Sequence, residues 1–174
     1  MIKLDLANAF DRVRHDFLFT MMKKLGFSIV FINWVKACIA SPWIAPLVNG
    51  RSTEFFQASR GLRQGFPLSP LLYAIQASVL SFQLDYSQQI QTLSGLRMAH
   101  NVKDINHAQC VDDTLLLGGA SINSARSFKK ELDIYREVSG SKINYLKSII
   151  YGWNCSIKEL TDIARLLEME GIQT

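Results

Sequence analysis

Apolar and polar positions along this chain switch repeatedly between the two-residue repeat of a strand and the longer repeat of a helix. Residues 1–6 are mostly apolar around Lys3 and Asp5 and predict a short strand. Residues 16–25 predict a helix with Asp16 as N-cap, Lys23 and Lys24 in its last turn and Gly26 as its stop. A second helix, 29–40, is expected behind Ser28, buried, and closed by Ser41-Pro42. Residues 45–58 alternate around Asn49-Gly50, a strong hairpin signal. Ser69-Pro70 predicts the start of a long helix reaching about residue 86, with Ser as N-cap and Pro at the first helical position. Its expected buried face is Leu72, Ala74, Ile75, Val79, Leu80 and Phe82.

From about residue 107 the pattern changes. Ala108, Cys110 and Val111 precede Asp112-Asp113, and Leu115, Leu116 and Leu117 follow, so a strand, a tight turn and a strand are predicted. Residues 122–138 predict an amphipathic helix ending at Ser139-Gly140, a left-handed cap. A strand is expected between Ile143 and Tyr151, then a last helix over roughly 157–169 behind Ser156. No linker or internal repeat stands out. Helices alternating with hairpins predict an α+β fold, with helices packed on a mainly antiparallel sheet.

Composition narrows this little. The chain has 174 residues, with 48% hydrophobic and 20% charged, as expected of one globular domain or part of a larger one. Its net charge of +4 permits a nucleic-acid partner without requiring one. The basic excess lies early: residues 1–50 carry six basic and three acidic side chains. The apolar stretch Phe27–Val48 contains Asn33, Lys36, Pro42 and Pro46, which argues against a membrane-spanning helix. Cys38, Cys110 and Cys155 lie far apart, which argues against a disulfide framework or structural zinc and fits a reducing compartment. Asn154-Cys155-Ser156 matches a glycosylation sequon and is read as chance.

Three aspartates stand out. Asp5 interrupts an apolar strand, and Asp112 and Asp113 sit side by side at the apex of an apolar hairpin. Carboxylates bordering a core need partners, and adjacent ones raise each other's pKa. A hard divalent cation resolves both problems. Strand-borne carboxylates can also bridge two ions roughly 3.5–4 Å apart, the arrangement used for phosphoryl and nucleotidyl transfer. Asp-Asp equally reads as a plain turn, and Asp5 as a strand-end residue.

Four segments, in order, connect these residues. Lys3-Leu4-Asp5-Leu6-Ala7-Asn8-Ala9-Phe10-Asp11-Arg12-Val13 resembles motif A of the reverse transcriptases of non-LTR (LINE-type) retroelements, particularly those of plants. Arg60-Gly61-Leu62-Arg63-Gln64-Gly65-Phe66-Pro67-Leu68-Ser69-Pro70-Leu71-Leu72 resembles motif B, and Cys110-Val111-Asp112-Asp113-Thr114-Leu115 motif C. Ser139-Gly140-Ser141-Lys142-Ile143-Asn144 with Lys147-Ser148 resembles motif D. The resemblance covers about residues 1–152. It implies that 1–174 is a partial reverse transcriptase domain with motif A at 3–13, B at 60–72, C at 110–115 and D at 139–148.

The implied fold is the palm of the right-hand polymerases, a ferredoxin-like antiparallel sheet with packed helices. The implied chemistry is RNA-directed DNA synthesis with two Mg²⁺ ions, Mn²⁺ being a possible substitute. Asp5 and Asp112 would hold the metals, with Asp113 as third carboxylate and the Leu6 carbonyl as a further ligand. Phe10 would exclude a ribose 2′-hydroxyl by bulk, the alternative being a plain core Phe. Arg63, Gln64 and Gly65 would contact the incoming nucleotide and template backbone. Lys147, with Lys142 as second choice, would protonate departing pyrophosphate, the alternative being a solvated surface lysine.

Implied partners are an RNA template, a DNA primer and deoxynucleoside triphosphates, with no membrane, and the family implies nuclear access. The chain starts at motif A and stops before the primer-gripping hairpin. It is therefore expected to lack the start of the fingers and the thumb, as a fragment of a longer polyprotein or a decayed copy. Cys110 and Val111 replace the usual aromatic-Ala pair, Asn8 the usual Lys, and Phe66 a smaller or polar residue. Cys110 is expected to leave a packing gap. Two other readings stand: an inactive relic that binds nucleic acid or protein weakly, and a palm-type nucleotide cyclase, from which motif B and residues 139–144 point away.

Overall fold

The computed structural model describes residues 1–110 and 113–173. In chain order the elements are β1 (Ile2–Leu4), α1 (His15–Lys24), α2 (Ile29–Ile39), β2 (Trp43–Ile44), β3 (Leu47–Val48), β4 (Arg51–Ser52) and β5 (Phe56–Gln57). Then come α3 (Ser69–Gln89), β6 (His107–Cys110), β7 (Asp113–Leu116), α4 (Ile122–Ser139), β8 (Ile149–Gly152), α5 (Ile157–Leu167) and β9 (Glu170–Gln173). They form two compact units, one of Met1–Ala9 with Ala77–Thr174 and one of Phe10–Gln76. Among the described residues no helix is long and apolar enough to cross a membrane.

The first unit is a five-stranded sheet in the order β6-β7-β1-β8-β9 with helices packed on it. β1 runs antiparallel to both neighbours: Ile2 pairs with Leu116 and with Ile150. Along β1 the side chains alternate, with Ile2 and Leu4 buried and Lys3 exposed. Leu80 and Leu84 of α3, Phe128, Leu132 and Tyr135 of α4, and Leu160 and Ile163 of α5 share one core with Ile2, Leu4, Leu116 and Ile150. Helices thus cover the Leu4 face, while the Lys3 face stays open, as one side of an antiparallel sheet commonly does.

Local signals place most helix ends. Ser121 caps α4, accepting from the Ser124 amide, and Gly140 closes that helix at φ 77°. Ser156 and Glu159 form a reciprocal capping box on α5. Bonds from the Ser156 amide and hydroxyl hold the Glu159 carboxyl below its usual pKa. After Leu167 the chain turns through Glu168 at φ 59° into β9, parallel to β8. The helix ends at Leu167, two residues short of the expected bound, and β9, a strand the sequence did not predict, makes the sheet mixed at one edge.

Glu131 is buried between α3 and α4. Its carboxylate accepts from the Gln83 side-chain amide at 2.6 Å and the Ser87 hydroxyl at 2.8 Å. Glu131→Ala leaves two donors without their acceptor and should cost about 1–3 kcal/mol, read as a lower urea midpoint at unchanged slope. Glu131→Leu, which fills the space but satisfies neither donor, should not restore it.

The second unit holds α1, α2, a hairpin arm and the loop leading into α3. Val13, Leu18, Met22, Ile32, Val35, Leu62, Leu72 and Tyr73 are buried in it. Arg14, not Asp16, is the N-cap of α1; Asp16 sits in the first turn and pairs with Arg14. Asn49 and Gly50 both take positive φ, 52° and 75°, as a two-residue hairpin turn demands. The arm has two rungs, β3 with β4 and β2 with β5, and one extra residue on the returning side. Ser69 is the first residue of α3 rather than its cap: its hydroxyl donates to the Arg63 carbonyl at 2.6 Å.

Two expected burials are absent. α2 buries only Ile32 and Val35, and exposes Ile29, Val30, Phe31 and Trp34. Along α3 the buried stripe is Leu72, Tyr73, Gln76, Ala77, Leu80, Leu84 and Ser87, so Phe82 and Ala74 point outward.

Candidate active site

Two of the predicted carboxylates flank the paired ends of β1 and β7. Leu4 is opposite Thr114 in the antiparallel β1–β7 pair. Asp5 follows the last residue of β1, and Asp113 is the first residue of β7, paired on its other side with Cys110. By alternation Asp113 belongs to the open face with Leu115, the partner of Lys3. Asp5 is half-buried and Asp113 exposed. Asp112, the other predicted metal ligand, lies outside the described residues. Gln109 ties the hairpin to α3 and to Thr114: it accepts from the Ser81 hydroxyl at 2.6 Å and donates to the Thr114 hydroxyl at 3.3 Å. Cys110 is exposed, so its small side chain leaves no buried gap, contrary to expectation.

The motif D segment is fastened to Asp5 itself. The Asp5 amide donates to the Ser148 hydroxyl oxygen at 3.1 Å, and the Asp5 carbonyl accepts from the Asn144 amide at 2.9 Å. One residue on, Leu6 bridges Ile143, with the Ala7 amide donating to the Lys142 carbonyl at 2.8 Å. The Leu6 carbonyl takes no part in these bonds. Asn8 then turns the chain at φ 49°, a left-handed conformation that Asn tolerates better than the Lys usual there. Lys142 and Lys147 are both exposed on the fastened loop.

The second unit groups the remaining predicted residues. Phe10 stacks on Tyr73 of α3, ring centroids 4.7 Å apart and planes 19° from parallel. The Leu62 amide donates to the Phe10 carbonyl at 2.9 Å, the Gly61 amide to the Val13 carbonyl at 2.8 Å, and His15 Nε2–H to the Gly61 carbonyl at 2.7 Å. Motif B thereby seats the turn that carries Phe10. Gly61 is required there: its φ is +93°, and a Cβ would meet the Asp11 carbonyl oxygen at 3.2 Å. Arg63, Gln64 and Gly65 form an exposed turn before α3; the Arg63 carbonyl accepts from the Phe66 amide at 3.2 Å, and Gly65 supplies φ +79°. Sequence reasoning missed Ser148, Asn144, Tyr73 and Gly61 as supports. Gly61, Asn144 and Ser148 sit inside motifs B and D, and of these only Gly61, as a glycine, carried a signal of its own role.

The donor chemistry at the sheet end fits a divalent cation. Carboxylate and carbonyl oxygens are hard ligands. Among the described residues neither Asp5 nor Asp113 enters an ion pair. No group of three acidic, histidine or cysteine side chains is assembled among those residues, the remaining expected ligand being Asp112.

The family model for reverse transcriptase (RNA-dependent DNA polymerase) matches residues 1–159. The chain is 27% identical over 147 residues to the transposon TX1 149 kDa protein of Xenopus laevis, covering 84% of this chain and 11% of that one. It is 28% identical over 136 residues to the Pol polyprotein of retrotransposable element R2 of Popillia japonica, covering 78% of this chain and 22% of that one. In three dimensions it resembles apo telomerase of Candida tropicalis, with a TM-score of 0.63 at 17% identity, over 84% of this chain and 29% of that chain. The chain thus spans a small part of the longer proteins it matches. The family model, matched over most of the chain, shows that the chain belongs to the reverse transcriptase family; it is similar to retrotransposon Pol polyproteins and shares the right-hand polymerase fold of the solved telomerase.

Proposed function

We propose that this chain carries the palm active centre of an RNA-directed DNA polymerase, as part of a longer protein that supplies fingers and thumb. The observation that supports the reading is that Asp5 follows Leu4 at the end of β1 and Asp113 precedes Thr114 at the start of β7, beside a loop fastened to Asp5. Motif A at 3–13, B at 60–72, C at 110–115 and D at 139–148 are its working parts. The family depends on divalent metal; here Mg²⁺, with Mn²⁺ as substitute, would be held by Asp5, Asp112 and the Leu6 carbonyl, with Asp113 as third carboxylate. Bound there, the cations lower the cost of charge on the attacking and leaving oxygens.

The substrates are a DNA primer on an RNA template and a deoxynucleoside triphosphate. The primer 3′-oxygen bonds to the α-phosphorus as the bond from that phosphorus to the β-phosphate oxygen breaks. The hydroxyl proton goes to solvent, and the Lys147 ammonium, or that of Lys142, gives a proton to the departing pyrophosphate. Arg63 pairs with phosphate, and Gly65 lets the main chain approach the nucleotide and template. Gln64 positions the same nucleotide. Phe10 blocks the space that a 2′-hydroxyl needs.

Primer extension on an RNA template by the longer protein that contains this chain tests the reading. Deoxynucleotide addition should require added Mg²⁺ and stop when EDTA removes it. Retention of RNA with no extension at any Mg²⁺ concentration would overturn it in favour of the inactive relic.

A further inference from the structure

We infer that Ser148 is a positioning residue for the metal-binding carboxylate of Asp5, acting through the main chain. This rests on the reading of Asp5 as a cation ligand. β1 pairs with β8 through Ile2 with Ile150 and Lys3 with Ile149, and the ladder stops there. Immediately beyond, the chain departs from strand geometry, and a side chain takes the place of a main-chain partner. The Ser148 hydroxyl accepts from the Asp5 amide at 3.1 Å and donates to the Asn144 carbonyl at 2.8 Å.

That carbonyl also accepts from the Ser148 amide at 2.9 Å and the Lys147 amide at 3.1 Å. The Asn144 amide returns to the Asp5 carbonyl at 2.9 Å. Both polar main-chain groups of Asp5 are therefore held by one short loop. Ser148 is fully buried, so water cannot replace its hydroxyl without opening the core.

The consequence is geometric. The direction of the Asp5 carboxylate follows from where its main chain stands, and a cation site tolerates errors of only about 0.5 Å in its ligands. Lys142 and Lys147 lie on the loop that does the holding. The hydroxyl of Ser148 thus keeps the ligand and the candidate proton donors in one frame. A residue that only filled space at this position would leave the Asp5 amide without an acceptor.

The test uses the full chain and Mn²⁺ alone. Exchange at the Asp5 amide is followed by NMR, and Mn²⁺ binding by electron paramagnetic resonance. Ser148→Ala should speed exchange at Asp5 about tenfold and weaken Mn²⁺ binding about tenfold, the scale of one lost hydrogen bond. Ser148→Cys, nearly the same shape with a weak hydrogen-bonding group, should fall between, and it carries the test if the alanine variant unfolds. A freed amide with wild-type Mn²⁺ affinity, or an amide as protected as in the wild type, would overturn the positioning role. Asp5→Asn is measured alongside. If it binds Mn²⁺ as well as the wild type, the reading of Asp5 as a ligand is what fails. If it loses Mn²⁺ while Ser148→Ala does not, only the positioning role fails.

Discussion

Asp5→Asn is expected to lower cation-dependent nucleotide addition by roughly 10³-fold or more, since a metal ligand contributes several kcal/mol of charge stabilisation at about 1.4 kcal/mol per tenfold. The substitution is nearly isosteric and removes one negative charge. It leaves alone the bonds that hold this segment, because those use the Asp5 amide and carbonyl rather than the carboxylate. The sheet should therefore survive, with a melting temperature close to that of the wild type. Asp112→Asn should behave alike and leave RNA binding largely unchanged. Single-turnover extension across a Mg²⁺ titration measures both. A rate at saturating Mg²⁺ equal to wild type in either variant would remove that residue from the metal site.

Phe10→Ala should raise the use of ribonucleotides relative to deoxynucleotides by about 10–200-fold, the range open to a purely steric pocket. Phe10 is half-buried, so part of its ring is free to meet a sugar. The buried ring of Tyr73 stacks on it from one side, and the Leu62 amide holds its carbonyl. Truncation at Cβ therefore removes bulk without releasing the turn. The ratio of kcat/KM for matched ribo- and deoxynucleoside triphosphates reports the effect. An unchanged ratio with a lower melting temperature would make Phe10 an ordinary packing residue.

The features legible in the sequence are those whose causes act within a few residues. Ser28, Ser121 and Ser156 each accept from an amide three positions on, and Asn49-Gly50 turns on itself, so each reads correctly from its neighbours. Asp16 fails by a small margin: its carboxylate is drawn to Arg14 and to the Phe17 amide inside the first turn. β9 could not be seen, because Glu-Gly-Ile-Gln has no alternation and becomes a strand only beside β8. The apolar run of α2 reads as core, yet whether such a run is covered depends on what packs over it, which local pattern does not encode. At the site, Asp5 and the Asp112-Asp113 pair drew notice because charge interrupted apolar strands. Ser148 reads only as the end of a motif: its own role has no sign until the fold sets it against a residue 143 positions earlier.

β1 sits at the centre of its sheet, yet its partners come late: Leu116 on one side and Ile150 on the other. A ribosome adding about 5–20 residues per second makes the first strand roughly seven to thirty seconds before the strand of Ile150 exists. Until then its amides and carbonyls are unpaired and its two apolar side chains uncovered, in reach of other nascent chains. The unit of Phe10–Gln76 faces no such delay, since its pairings all close within that stretch of chain. Translation order thus separates the two halves in time: one closes early, and the catalytic sheet last.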